Sequence, residues 1–402
     1  MPDSERKAAR ARATAPHAAR VRSRGPFLAL LLRVGLLDEN MRGVARCAAV
    51  LVAIAWLPLV LLAFLDGRLV GGAVVPLLQD ADVTLRLLVV VPLLIAGERV
   101  IHERWPSALA RFESRALVAP EERARFEAAV DAAARAMASP WLEAVLVLAV
   151  AVGGAAGLAR TTSGLGVATW YVDPAVEGAV LRPAAYWLLS VSLPLFQFLL
   201  LRWYARLAIW WWLLLRLSRL DLRLQPLHPD QSGGLAFLGT LCLAFEPLCA
   251  AHGAVAAGWI ANRILHLGAT LPQFRVELAT LVALQVVAIL GPLLAFAMAL
   301  DRAKRASLGR FGNFAMRYAR EFDDKWLAEG TVVRESPIGS GDIQSLADLG
   351  TSYGSLRQMR VLPFATSLPS RLTVAVLVPV APLVLTMVPL EELLGRLARM
   401  IL

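Results

Sequence analysis

The stretch VARCAAVLVAIAWLPLVLLAF, residues 44–64, decides the class of this fold. It carries a single charged residue, Arg46, in a run of about the 20 residues that an α-helix needs to cross roughly 30 Å of hydrocarbon. We predict that this run is the first membrane span.

More apolar runs follow it along the chain. We predict further spans at residues 83–101, 141–158, 184–201, 234–265, 277–300 and 372–389. The sequence has 402 residues, of which 58% are hydrophobic and 18% charged, whereas soluble domains have roughly 45–50% apolar and about 25% charged residues. The sequence therefore predicts an all-α fold, a polytopic transmembrane helical bundle of about seven spans with cytoplasmic amphipathic helices.

The positive charge is distributed as in a membrane protein. The formal net charge is +10, and arginines crowd the N-terminal segment and the segment after Leu300. Cytoplasmic segments of membrane proteins carry such an excess, so we predict a cytoplasmic N-terminus and a periplasmic C-terminus. This distribution explains the charge without nucleic-acid binding. The predicted cytoplasmic segments are 99–140, 202–233 and 301–371, and the predicted outward loops are 66–82, 161–183 and 265–276.

The predicted spans divide the chain into six parts. These are a basic, partly disordered cytoplasmic tail (1–43), the first two spans (44–101), a cytoplasmic helical segment (102–140), spans three to six (141–300), a second cytoplasmic helical segment (301–371), and the seventh span with a short tail (372–402). In the second cytoplasmic segment apolar residues recur every three or four positions, which is typical of an amphipathic helix, and Asp342 is placed to cap it. The apolar stripe comprises Ile343, Leu346, Leu349, Tyr353, Leu356 and Met359.

The fourth span continues beyond its apolar end in the sequence RWYARLAIWWWLLLRLSRL, which begins at Arg202. This pattern predicts one long helix that emerges from the bilayer. Trp and Tyr favour the headgroup level of a membrane, so we place Trp203, Tyr204 and the WWW at Trp210 there. The RWYAR cluster is then expected to contact anionic lipid headgroups.

A compact turn, HPDQSGG, begins at His228 and precedes the fifth span. Asp230 or Ser232 can cap the following helix through its free amides, and Gly233 with Gly234 allows backbone geometries denied to other residues. Capping leaves His228 unexplained. The functional alternative is a cytoplasmic turn site, in which His228 and Asp230 bind an anion or a proton in front of the positive helix end.

Two ionisable residues, Glu246 and His252, lie inside the predicted fifth span. Such groups are costly in a membrane unless they are paired or face water, so they predict an ion or proton path. The alternative is a protonated glutamate that forms a hydrogen bond to Gln197 in span four or Gln285 in span six. Together these four residues form the candidate polar path.

The sequence lacks the residue patterns of several kinds of catalytic and metal-binding site. The three cysteines lie inside apolar runs and have no metal or redox spacing. About 18 residues of helix, roughly 20 Å or more, separate the His228 turn from Glu246, too far for one metal site. No glycine-rich phosphate loop, GxSxG elbow or HExxH motif occurs. We expect no metal, no cofactor and no enzymatic active site.

Three blocks of the C-terminal half carry a family resemblance: HPDQSGGLAFLG from His228, SGDIQSLADLGTSYGSLRQMRVLPF from Ser340 and VPVAPLVLTMVPLEELLGRL from Val378. Together they resemble a group of bacterial polytopic inner-membrane proteins. The resemblance implies a shared fold and a location in the bacterial cytoplasmic membrane. It implies no activity for any residue.

Two functions remain open at this point. The polar content of the fifth span favours a transporter or channel with a path past Glu246 and His252. The large cytoplasmic portion favours a non-enzymatic sensor or assembly scaffold, in which the apolar stripe near Tyr353 docks a partner or the inner leaflet. The expected partners are the lipid bilayer with its anionic headgroups, and a second copy of the chain or a cytoplasmic protein.

Overall fold

The structure is a computed structural model, and it describes residues 25–38, 40–161, 168–173, 180–328, 335–336 and 339–387, without the side chains of 154–161 and 180. The predicted all-helical class is confirmed. One short antiparallel ladder pairs β1 (Val172–Asp173) with β2 (Val180–Leu181). The N-terminal arginines, most of the predicted linker before Gly341, and the C-terminal tail lie outside the described residues.

The helices follow one another with short breaks. They are α1 (Pro26–Arg33), α2 (Val44–Leu65), α3 (Ala81–Leu85), α4 (Val91–Ser114), α5 (Arg123–Met137), α6 (Pro140–Thr161), α7 (Pro183–Trp187), α8 (Leu193–Leu217), α9 (Phe237–Cys242), α10 (Glu246–Leu267), α11 (Arg275–Leu290), α12 (Ala297–Trp326), α13 (Gly341–Arg357) and α14 (Leu368–Leu377). Single π-helical turns, Arg86–Val90 and Leu188–Ser192, join α3 to α4 and α7 to α8. A 3-10 turn, Leu243–Phe245, joins α9 to α10, and another, Gly291–Phe296, joins α11 to α12.

The described chain contains four to six candidate membrane spans. Four helical segments are long and apolar enough to cross a membrane: Val44–Leu65, Pro183–Leu217, Phe237–Leu267 and Leu271–Trp326. Two bent pairs raise the number to six if each is one span: Pro120–Met137 with Pro140–Gly153, and Leu368–Leu377 with Ala381–Met387. These helices are compatible with a multi-pass membrane protein. The predicted second span is helical but is not among the candidates, because Arg86 and Glu98 interrupt its apolar character.

Helix α10 lies at the centre of the bundle, against α3, α4 and α14. Its glycines make this packing close. A Cβ added at Gly253 would overlap the backbone carbonyl oxygen of Val376, and one added at Gly258 would lie 2.8 Å from the Asp82 Cα. Small residues at helix interfaces let backbones approach and gain van der Waals contact, which holds helices together in lipid, where the hydrophobic effect does not.

A buried polar cluster around Asp80, here the Asp80 cluster, closes one end of the bundle. The Asp80 carboxylate accepts hydrogen bonds from Trp170 Nε1 at 2.9 Å and from Asn262 Nδ2 at 2.8 Å. Beside it, Arg68 pairs with Asp173 at 3.2 Å. These residues belong to two of the predicted outward loops and to the last turns of α10, so the structure gathers those segments at the same end.

At the other end, α12 and α13 form an antiparallel helical hairpin. Tyr318 Oη donates to the Asp342 carbonyl oxygen at 3.0 Å, and Lys304 Nζ donates to the Met359 carbonyl oxygen at 2.6 Å. The predicted cap was wrong. Ser340 caps α13 by accepting the Asp342 amide at 3.2 Å, whereas the Asp342 carboxylate, in the first turn, pairs with Lys325.

The hairpin occupies part of the apolar stripe predicted for α13. Leu356 and Met359 are buried, whereas Ile343 is exposed. Tyr353 is half-buried, and its ring approaches Gly312 of α12. The stripe is therefore partly covered by the chain itself, because α12 presents the complementary surface along the same length.

The aromatic residues predicted at the headgroup level are divided. Trp203 and Trp210 are buried in the core, where Trp203 Nε1 donates to the Leu94 carbonyl oxygen at 3.1 Å and Trp210 stacks against Trp105. Tyr204 and Trp212 are exposed. A large ring with one polar edge can pack between helices when a backbone carbonyl is within reach of its N–H, and helix α4 supplies that carbonyl for Trp203. Trp210 Nε1 is buried without a hydrogen-bond partner among the described residues.

Candidate functional site

Four charged side chains form a buried cluster where α1, α4, α6 and α8 meet, here the Glu98 cluster. Its members are Glu98, Glu143, Arg202 and Arg206. Glu98 is 5% exposed and Arg202 is 6% exposed. Buried ions of one sign are costly, so pairing of opposite charges is what makes this arrangement stable.

Glu98 is the centre of the cluster. Its Oε2 accepts a hydrogen bond from Arg206 Nη2 and lies 3.9 Å from Arg202 Nη2. The Arg202 Nε lies 3.8 Å from Glu143 Oε1, and the guanidinium stacks over the Phe27 ring with 5.0 Å between Cζ and the ring centroid. Glu143 Oε2 accepts the Phe27 backbone amide at 2.6 Å. The cluster thereby fixes α1 to the bundle.

A cavity of about 40 Å³ lies against this cluster, with His102 and Trp105 in its wall. Arg202 and Arg206 each have a buried Nη1 atom without a hydrogen-bond partner among the described residues. A guanidinium carries several donors in a fixed fork, so the spare N–H groups can donate to a water molecule or a small oxygen-bearing species. The arrangement has matched charges and two unused donors.

Sequence reasoning placed Arg202 and Arg206 at the lipid headgroups, and that prediction was wrong. Both side chains point into the bundle because Glu98, about 100 residues earlier in the chain, offers an acceptor there. The span prediction places Glu98, Glu143 and Arg202 at the same membrane end of three helices. This coincidence was the available signal for the cluster.

The HPDQSGG turn is built around the Asp230 carboxylate, but neither Asp230 nor Ser232 caps the following helix as predicted: the N-cap of α9 is Ala236, and no side chain caps it. Oδ1 accepts the amides of Ser232 at 2.9 Å and Gly234 at 3.1 Å, and Oδ2 accepts the amide of Ala236 at 3.2 Å. Gly233 and Gly234 have φ angles of 62° and 96°, in the region that favours glycine. The carboxylate therefore fixes the conformation of the turn that precedes α9.

Asp230 also connects two other segments to this turn. Arg115, just after α4, reaches Asp230 Oδ2 at 3.2 Å and the Gly234 carbonyl oxygen at 2.6 Å. Arg360, just after α13, donates to the Asp230 carbonyl oxygen at 2.9 Å, and its own amide donates to the Gln231 carbonyl oxygen at 2.7 Å. We call this set of bonds the Asp230 latch, because it joins the hairpin and the end of α4 to the base of α9.

The latch accounts for His228 and for the ionisation of Asp230. His228 Nδ1 lies 3.0 Å from Asp230 Oδ1. Burial alone would raise the pKa of Asp230, but the amides of Ser232, Gly234 and Ala236, together with His228, outweigh it and hold the pKa below its ordinary value. The carboxylate is therefore a charged structural acceptor at neutral pH.

The four residues of the predicted polar path do not form one site. Glu246 is the first residue of α10, and its Oε1 accepts from Arg371 of α14 at 3.1 Å. Glu246 is thus paired with an arginine, and not with Gln197 or Gln285, the two glutamines predicted as hydrogen-bond partners. Gln285 is buried on α11 and Gln197 is half-buried on α8.

His252 has its own partners. Its Nε2 lies 2.5 Å from Tyr204 Oη, and its Nδ1 lies 2.8 Å from the Leu248 carbonyl oxygen. The Tyr204 and His252 rings are also stacked. Glu246 and His252 are therefore separate pairs, one at the helix start and one about 9 Å farther along it at 1.5 Å per residue.

In the described part of the chain, no three His, Cys, Asp or Glu side chains converge in a way that could hold a metal ion. All three cysteines are buried and free. No protein-family model, curated protein or solved structure matches the chain.

Proposed function

We propose that this chain is a multi-pass protein of the bacterial inner membrane that acts as a non-enzymatic scaffold, and that the α12–α13 hairpin carries its partner-binding surface in the cytoplasm. The observation on which this proposal rests is the Asp230 latch. It fixes the hairpin to the bundle through Arg115 and Arg360. A hairpin held in this way presents its outer face in a defined orientation, which lowers the ordering cost of binding.

The charge distribution supports a cytoplasmic hairpin. Most charged residues of the latch, the hairpin and α5 lie beyond the Glu98 cluster, and many of them are arginine. The positive-inside rule places such segments in the cytoplasm. The Asp80 cluster, about 27 Å away if 18 residues of helix separate Asp80 from Glu98, would then face the periplasm.

We also propose seven spans, with α3 and α4 together as the second. Their charged residues have partners within the bundle, which lowers the cost of placing them in a membrane. Arg86 pairs with Asp82 at 2.8 Å, and Glu98 pairs with the arginines of α8. When a membrane span is identified from apolar character alone, these charges count against the segment although each of them is paired.

The side of α12 that carries Met316 supplies a surface for a partner. Met316 is exposed, and Arg317 is exposed next to it. Phe314, two residues earlier, lies on a different side of the helix and lines a cavity with Leu227. Arg320 is exposed one turn farther along the helix. Apolar anchors beside arginines are enriched at protein interfaces, so the partner we propose is a cytoplasmic protein with an acidic surface.

Site-specific photo-crosslinking in cells tests this proposal. A photoreactive residue at Met316, which is 56% exposed, should capture one protein that mass spectrometry identifies, and Arg317→Glu with Arg320→Glu should abolish that capture. The matched control is the same probe at Val147 on α6, also 56% exposed, where only lipid adducts are expected. Only lipid and self adducts at Met316, or capture unaffected by charge reversal, would refute the scaffold.

Ion transport remains a second candidate because of the Glu98 cluster, whose spare guanidinium donors face a small cavity. Proton or ion flux into proteoliposomes should then fall in Glu98→Gln and in Glu246→Gln. Asp221→Asn, an exposed residue, serves as the control. No flux above empty liposomes for the unmodified chain would remove this candidate and leave the scaffold untouched.

A further inference from the structure

A second cavity, of about 400 Å³, lies where α5 packs against the last turns of α8. Arg125 of α5 and Arg216 and Arg219 at the end of α8 reach its rim. Alanines of α5 form its floor, and Trp212 and Leu220 complete the wall. The cavity therefore combines an apolar floor with three cationic side chains.

The cations of this cavity exceed its anions. Arg125 Nη1 is held by Glu122 through contacts of 2.7 and 2.9 Å. Over the described ranges, neither Arg216 nor Arg219 has an ion pair with a carboxylate. Arg216 instead stacks over Trp212, with 5.4 Å between Cζ and the ring centroid. Two guanidinium groups thus remain available to an anion.

The neighbouring residue Trp211 locates the cavity relative to the apolar spans. Its Nε1 donates to the Ala288 carbonyl oxygen at 2.5 Å, near the end of α11, and its ring lies against Gly291. Ala288 lies within the candidate span Leu271–Trp326 and not at its end. The cavity lies at the end of another candidate span, Pro183–Leu217, which includes Arg216 and stops before Arg219.

We propose that this cavity binds the phosphate group of an anionic membrane lipid. A guanidinium fork matches the oxygens of a phosphate in two-point contact, and Arg216 and Arg219 offer two forks. Trp212 suits the headgroup level through its N–H and its apolar ring, while the alanine floor accommodates the first carbons of the lipid. The chemistry recognised is a phosphate group, and free inorganic phosphate is the other source that a test must distinguish.

The sequence predicted that the RWYAR cluster contacts lipid headgroups, and we propose that this cavity makes that contact instead. Arg202 and Arg206 are committed to Glu98 inside the bundle. The next arginines along the chain, Arg216 near the end of α8 and Arg219 just after it, are exposed and line the cavity. This inference does not depend on the scaffold proposal, because it uses neither the hairpin nor the latch.

Native mass spectrometry of the purified full chain tests the proposal. The chain is reconstituted in nanodiscs of phosphatidylcholine with a minor fraction of phosphatidylglycerol, then released and weighed with its retained lipid. Arg216→Gln with Arg219→Gln should reduce retained phosphatidylglycerol on the order of tenfold, since each basic residue at a membrane surface contributes appreciably to anionic-lipid binding. Arg302→Gln with Arg305→Gln, exposed on α12 outside the cavity, is the matched control.

A second variant keeps the test independent of lost arginines. Ala132→Glu places a carboxylate on the cavity floor and should abolish retention while α5 stays helical, as circular dichroism can verify. Stabilisation by inorganic phosphate that the arginine variant loses, without lipid retention, would support a phosphate site filled from solution. Equal retention in the unmodified chain and both cavity variants, with no phosphate effect, would overturn the proposal.

Discussion

Replacing Asp230 with alanine should loosen the turn whose backbone carbonyl oxygens bind Arg360, and should thereby favour opening of the hairpin. The substitution removes an acceptor of three backbone amides and the partner of Arg115, on a side chain that is 14% exposed. A hydrogen bond to a charged acceptor contributes about 1.5–3 kcal/mol net of exchange with water, and a partly exposed ion pair contributes up to about 1 kcal/mol. Because these contributions overlap, we expect about 3 kcal/mol in total.

The buried residue Met359 offers a direct readout of this opening. It is 1% exposed and lies beneath the latch, next to Arg360, and the three native cysteines are buried. In a chain carrying Met359→Cys, the maleimide labelling rate follows the population of the opened hairpin. With Asp230→Ala the rate should rise on the order of 100-fold if the full 3 kcal/mol appears in local opening.

Two further variants calibrate this experiment. Asp230→Asn keeps one carbonyl acceptor for the amides of the turn but loses the charge, so the expected increase is intermediate. Asp221→Ala removes an exposed aspartate of the same loop and should leave labelling unchanged. If Asp230→Ala and Asp221→Ala label within about twofold of each other, a free-energy difference below roughly 0.5 kcal/mol, the latch does not hold the hairpin.

Three other predictions follow from the same geometry. Because its pKa is lower in the folded chain, Asp230 stabilises the fold at pH values above the ordinary aspartate pKa of about 3.9, and this stability is lost as pH falls toward the lower folded pKa. The difference in melting temperature between the unmodified chain and Asp230→Ala should therefore shrink on acidification from pH 5. A constant difference would contradict this prediction. Glu98→Gln leaves the largely buried Arg206 without its carboxylate and leaves Arg202 with Glu143 alone. It should cost about 3–5 kcal/mol in a detergent unfolding titration, whereas a cost below about 1 kcal/mol would show that the cluster relaxes. Gly253→Leu should prevent close packing against Val376 and lower the melting temperature more than Gly309→Leu, at a glycine with open space around it; equal losses would refute the close approach.

The sequence predicted those features that depend on nearby residues. Most apolar runs became the expected helices, since length and composition alone decide whether a segment can span lipid. Asp230 was correctly identified as a local acceptor, since the amides that it binds are within six residues of it, but those amides belong to the turn and not to α9. The cap of α13 was misplaced by two residues, from Ser340 to Asp342, because both residue types are good caps and the sequence does not show where the helix starts.

The features that sequence reasoning missed depend on distant residues. Glu98 meets Arg202 and Arg206 across more than 100 positions, so no local pattern relates them. Trp203 was expected at the membrane–water interface, where tryptophan is enriched. In the structure Trp203 and Arg202 are both buried, on the side of α8 that faces the bundle. Orientation of that one helix decided the environment of the whole RWYAR cluster.

Pairing also changes how charge within an apolar helix should be interpreted. An isolated Glu98 or Arg206 would favour placing its segment outside the membrane, since an unpaired charge is costly within a membrane span. When Glu98 and Arg206 form an ion pair, the pair has no net charge. The attraction between them offsets part of the free-energy cost of removing both side chains from water. Helices α4 and α8 can therefore lie in the bilayer as a pair, although the apolar character of α4 alone does not identify it as a membrane span. Glu98→Gln should consequently weaken insertion of α4 only when Arg202 and Arg206 are present, and restoring neutrality with Arg206→Gln in the same chain should recover part of the loss, as a double-mutant cycle of unfolding free energies can measure.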